Sequence, residues 1–222
     1  MRFDYGGTHK TEWVAIINAK RNATFPEWTT IPMVETEDTT CKVFDIVDTK
    51  DMGDPIVRPQ KEGQATYFNG DDNHTYTLRF IKSEEFMNQF RILNSDTGVW
   101  MDWAKGMSRP DYIVYDLNES KAYFIIHELS VGKIQNKKAV AMKQLMNMVK
   151  MLDGAAKSKA FCQGFVNRLC YVSATGCVTA SPCDVANGFM EAYRNLPDPL
   201  PLVNKSIEIR GFKAFQSNVV KL

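Results

Sequence analysis

Arg109-Pro110-Asp111-Tyr112-Ile113-Val114-Tyr115-Asp116-Leu117 runs through Asn118-Glu119-Ser120-Lys121 into Ala122-Tyr123-Phe124-Ile125-Ile126-His127-Glu128-Leu129-Ser130. These residues decide the fold. Pro110 and Asp111 open a strand, the next four polar residues make a turn, and Ala122 to Ser130 form the antiparallel partner. So continuous an apolar run in the second strand predicts burial on both faces. A turn centred near residues 119 and 120 places residue 111 across from residue 128. Two carboxylates, Asp111 and Glu128, then meet at one end of the hairpin. Side by side they repel, and one pKa rises unless a divalent cation sits between them. Mg2+ favours one or two carboxylates together with water and substrate phosphate, and such a site activates water for phosphodiester hydrolysis.

Outward from the hairpin the periodicity stays readable. Thr75 to Ile81 alternates Tyr76, Leu78 and Phe80 with polar residues, a half-buried strand. Ser83 offers a helix N-cap, with Glu84 and Glu85 in the first turn and Phe86, Phe90 and Leu93 on one stripe. Val99 to Trp103 reads as a short strand. Past the hairpin, a helix is predicted from Asn136 to Leu152, with Met142, Leu145, Met146, Val149 and Leu152 on its core side and Lys143, Asn147 and Lys150 on another. Arg168 to Ala174 reads as a strand and Asp184 to Leu196 as a last helix. From residue 83 the expected order is α-β-β-β-α-β-α. The first 70 residues are turn-rich, with an ambiguous apolar element at Thr11 to Ala19 and a strand at Cys41 to Asp48. The expected division is a β-rich portion of unread role over 1–74 and an α/β core over 75–222.

Composition narrows the class. The 222 residues are 44% apolar and 24% charged with net charge +1, which excludes wholesale disorder and collagen-like repeats. No apolar run approaches the roughly 18 to 20 residues of a bilayer span, and the first residues lack an apolar signal core. A soluble, cytoplasmic protein with no membrane contact is expected. Cys41, Cys162, Cys170, Cys177 and Cys183 fit neither zinc spacings nor a paired disulfide framework, so reduced and partly buried thiols are expected. Charge is unevenly spread. Seven acids against two lysines lie between Glu35 and Pro55, and seven lysines against Asp153 lie between Leu129 and Ala160. That basic stretch is compatible with contact to a polyanion.

Pro110-Asp111, the hairpin, and Ile126-His127-Glu128-Leu129-Ser130 within an α-β-β-β-α-β order resemble the PD-(D/E)xK nuclease superfamily, the restriction-endonuclease-like fold. The resemblance covers about residues 83 to 175. It implies Asp111 and Glu128 as ligands of a catalytic Mg2+ or Mn2+, with Glu85 or Glu84 on the preceding helix as a further ligand. The lysine that the superfamily carries two positions after the Glu falls here on Ser130, a hydroxyl with no positive charge. The resemblance implies two substitutes, Lys143 on the following helix or Lys133 nearer the strand end. Gln144 lies near where some members carry a helix glutamine. His127 points away from Glu128 by strand alternation and reads as a packing residue. The implied function is hydrolysis of DNA phosphodiesters, with the basic helix on the phosphate backbone. The alternative is a catalytically inactive module of the same fold, binding nucleic acid or a protein partner. No phosphate-binding glycine loop, G-x-S-x-G or H-E-x-x-H motif is present.

Overall fold

The computed structural model describes residues 36–46, 56–57, 65–71, 73–83, 85–87, 108–175 and 198–222. The hairpin is there, and it forms the centre of a seven-stranded mixed sheet. Strand β6 (Tyr112–Asp116) pairs antiparallel with β7 (Tyr123–Lys133). On its other side β6 pairs antiparallel with β5 (Leu78–Lys82), which in turn carries β1 (Thr36–Thr39). Beyond β7 lies the parallel strand β8 (Asn167–Thr175). Parallel strands need a crossover, and it is supplied by helices α1 (Ile134–Gly154) and α2 (Ala156–Gln163). Strand β10 (Lys213–Gln216) extends the sheet and β9 (Leu200–Pro201) ends it. The short helix α3 (Lys205–Glu208) lies between these two strands in sequence and is capped by the Asn204 side chain.

A second sheet of four short strands is ordered β11-β4-β2-β3. These are β11 (Val219–Lys221), β4 (Ala65–Phe68), β2 (Val43–Ile46) and β3 (Ile56–Val57). The architecture is therefore mixed α/β in three layers. On one face of the large sheet, Ile113, Tyr115, Phe124, Ile126, Cys170 and Val172 pack under Ala141, Leu145, Met148, Val149 and Leu152 of α1. On the other face, Val114, Ile125, Leu129 and Tyr171 pack against Phe44, Ile46, Tyr67 and Val220 of the small sheet. In β7, residues 124–129 are all buried, as the continuous apolar run of that strand predicts.

The seat beside β6 on the side away from β7 belongs to β5, from the stretch Thr75 to Ile81 that reads as a strand. The strands on either side of residue 74 are interleaved, since β1 joins the large sheet and β11 joins the small one. Helix α1 buries a broader stripe than expected, including Met148 and Met151, while Met142 and Met146 are half-buried. Thr11 to Ala19, Val99 to Trp103 and Asp184 to Leu196 lie outside the described residues. Among the described residues no helix is long and apolar enough to cross a membrane. Cys162 and Cys170 are buried free thiols, and burial raises their pKa; Cys41 is exposed.

One turn is tightly specified. After β4, Gly70 adopts φ +82° and the Asp71 carboxylate accepts the backbone N–H groups of Asn73 and His74, both at 2.8 Å. A Cβ on Gly70 would collide with the His74 carbonyl oxygen. Gly70→Ala is expected to destabilise the protein by about 2–4 kcal/mol, from left-handed strain plus the collision. Urea denaturation of both proteins measures it.

Candidate functional site

Asp111 stands one residue before β6, and Tyr112 pairs with His127. The next antiparallel position outward sets Asp111 across from Glu128, as the turn length predicts. Directly opposed residues have Cβ atoms about 4.5–5.5 Å apart. Ile113 and Ile126 belong to the core under α1, so by alternation Asp111 and Glu128 face the same helix. The main chain fixes Asp111 at both ends. Its carbonyl accepts the Ser83 N–H at 2.9 Å, and its Oδ2 accepts the Leu129 N–H at 2.7 Å. The acid therefore closes the end of the β6–β7 ladder with its side chain. Glu128 is 5% exposed. Its Oε2 accepts from Gln144 Nε2 at 3.0 Å, and the same amide nitrogen donates to the Arg109 carbonyl at 2.6 Å. One turn on, Asn147 Nδ2 donates to the Ser108 carbonyl at 3.1 Å. Two amides of α1 thus hold the segment that delivers Asp111.

The other candidates are distributed around this pair. Residues 83 and 85–87 are helical, so half-buried Glu85 follows closely on the Ser83 N–H that is bonded to Asp111. Glu84 is outside the described residues. Ser130 is half-buried and, two positions after Glu128, falls on the same side of β7. Lys143 is exposed. One residue is a rotation of about 100° on a helix, so the turn that aims Gln144 at Glu128 carries Lys143 away. Lys133, at the end of β7, is exposed as well. The side chain that α1 brings to the carboxylates is Gln144. Asn147 was missed as a site residue, although its spacing of three from Gln144 puts both amides on one helix face.

Opposed carboxylates repel, and a neutral N–H donor on each one offsets part of that cost. The oxygen-rich donor set, two carboxylates beside the Arg109 carbonyl, fits a hard divalent cation that keeps several of its waters. Among the described residues no group of three or more His, Cys, Asp or Glu side chains is gathered in a metal-ligating arrangement. A two-carboxylate site with water completing the shell is what the residues offer.

His127 lies on the opposite face and is fully buried. Its Nδ1 is 2.7 Å from Tyr67 Oη and its Nε2 is 2.8 Å from Ser173 Oγ, which donates to the Ser217 carbonyl at 2.6 Å. One proton arrangement satisfies the whole chain. Tyr67 donates to Nδ1, Nε2–H donates to Ser173, and Ser173 donates onward. Burial pushes the imidazole down to about 3 and holds the Tyr67 phenol above its usual range, so both remain neutral at pH 7. His127 is a structural clasp between the sheets, in keeping with its reading as a packing residue. Comparison of the chain with protein-family models, with curated proteins and with solved structures finds no match.

Proposed function

We propose that this protein is a metal-dependent nuclease-like hydrolase of DNA phosphodiesters, built on a restriction-endonuclease-like core. The observation that carries the reading is the register that sets Asp111 opposite Glu128 at the open end of a hairpin. In support, β5, β6 and β7 are antiparallel and β8 follows in parallel through α1. Asp111 and Glu128 would hold Mg2+ or Mn2+, with Glu85 as an outer ligand. The cation would polarise the phosphate and lower the pKa of a bound water. Gln144 holds Glu128 in place, and the two α1 amides set the backbone that carries Asp111.

Ser130 supports a second reading. With a hydroxyl in the lysine position and Lys143 exposed, the site near Glu128 has no lysine of its own from either place. A catalytically inactive module that binds nucleic acid or a protein partner accommodates that arrangement.

A cleavage assay on single- and double-stranded DNA with Mg2+ or Mn2+ separates the two. The nuclease reading expects cutting by the wild type and a loss of at least about 100-fold in Glu128→Gln, with the fold retained; supporting groups alone cost 10–100-fold in metal affinity. No cutting, together with no calorimetric Mn2+ binding that Asp111→Ala/Glu128→Ala removes, favours the inactive module.

A further inference from the structure

Past its buried first residue, Ile134, α1 exposes its next six residues. Residues 135–140 are all exposed, so no side of this part of the helix packs on the sheet, and burial resumes only at Ala141. Core-facing helices hide about a third of their surface, and here even Val140 is 56% exposed. The charge on this stretch has one sign. From Lys133 to Lys150 the chain carries five lysines (133, 137, 138, 143 and 150) and no acid, and all five are exposed. No described carboxylate pairs with any of them. Lys159, by contrast, is held 2.9 Å from Asp153. The exposed turns begin a few residues after Glu128 and Ser130 on the same continuous segment of chain.

We propose that the exposed start of α1, with Lys137 and Lys138, together with Lys133 at the end of β7, is a docking surface for the phosphate backbone of duplex DNA. Like charges gathered without counter-charges repel one another, and a polyanion relieves that repulsion while releasing its own counterions. Shape agrees with charge. A helix with side chains is about 10–12 Å across, and the major groove is about 12 Å wide. Residues 135–140, anchored by the core residues Ile134 and Ala141 on either side, are exposed all round the helix and can lie along a groove. This surface rests on the nucleic-acid partner of the proposed function and adds the place where that partner is held.

The test measures binding without chemistry. Glu128→Gln protein in EDTA is titrated against a labelled DNA duplex by fluorescence anisotropy between 50 and 200 mM salt, roughly the range over which phosphate contacts weaken. Adding Lys133→Gln/Lys137→Gln/Lys138→Gln is expected to weaken binding roughly 100-fold near 100 mM salt. It should also flatten the salt slope by about 2 to 3, near 0.9 per lost phosphate contact. Lys205→Gln/Lys213→Gln, at exposed lysines on α3 and β10, should leave both unchanged. Duplex binding that the triple variant does not weaken overturns this surface and leaves the nuclease reading standing. Absence of duplex binding overturns it too, and the cleavage assay then decides the nuclease reading separately. Tighter binding to vesicles of anionic lipid than to the duplex overturns it in favour of a membrane surface.

Discussion

At pH 5 the folded protein is expected to be about 2 kcal/mol less stable through His127 alone than at pH 7. The cause is burial of the ring on the inter-sheet face, where among the described residues no carboxylate bonds to it. The ring is buried beside Tyr67 and Tyr171, and its hydrogen bonds reach a phenol and a hydroxyl. On β6 the carboxylate of the same face belongs to Asp116, four residues from the paired Tyr112, or roughly 13 Å along a strand. It is engaged with Asn118, Ser120 and Ala122 at the hairpin turn. Burial therefore holds the folded-state pKa near 3 against 6.5 when unfolded. The unfolded chain takes up the proton first. The contribution is complete above about pH 6.5 and is lost as pH falls toward 3, at about 1.4 kcal/mol per unit. Urea midpoints of wild type and His127→Gln across pH 4 to 8 measure it. The difference between their slopes belongs to this residue, and parallel curves would show that the ring is hydrated or paired.

The larger single effect is expected from Phe124→Ala, at about 3–5 kcal/mol. Phe124 is wholly buried on the helix side of β7. Its ring lies 5.4 Å from Phe165, 5.8 Å from Phe86, 6.1 Å from Phe161 and 6.2 Å from Phe212. These residues come from different elements, so no single shift refills the space. In a chain of this length about 4 kcal/mol lowers Tm by roughly 8–16 °C, which calorimetry reads directly. Phe124→Leu should recover about half. A loss below 1 kcal/mol for Phe124→Ala would mean that the aromatic cluster collapses freely around the gap.

Local information made the hairpin readable. Its turn, its two apolar runs and its register depend on residues less than 20 positions apart, so Asp111 opposite Glu128 could be counted out. The helix after it was equally plain, because its apolar spacing repeats over three turns. Other parts depended on distance in sequence. The described strands before residue 70 are two to four residues long, too short for alternation to show. Tyr67 reaches His127 only because a separate sheet lies across β7, and nothing near Tyr67 in sequence announces that. Which strand sits beside β6 is not legible, since Thr75 to Ile81 and Val99 to Trp103 both read as strands and pairing is not a local property. Lys143 and Gln144 show how fine the helical signal is. Charge chemistry favoured the lysine, whereas the helix phase sends the amide to Glu128.

The route of the last strands bears on how the protein is made. At Ser217 and Asn218 the chain leaves the large sheet and enters the small one. Asn218 is bonded to both sheets, through Ala174 N–H to its side chain and Thr66 N–H to its carbonyl. Val219 then pairs with Thr66, about 150 positions earlier. During synthesis β4 must therefore wait, with one edge and its apolar face unsatisfied, until nearly the whole described chain has been released. Pairing over such separations is slow. The nascent small sheet thus calls for a chaperone until β11 arrives, and truncation before β11 should yield an insoluble product rather than a smaller domain.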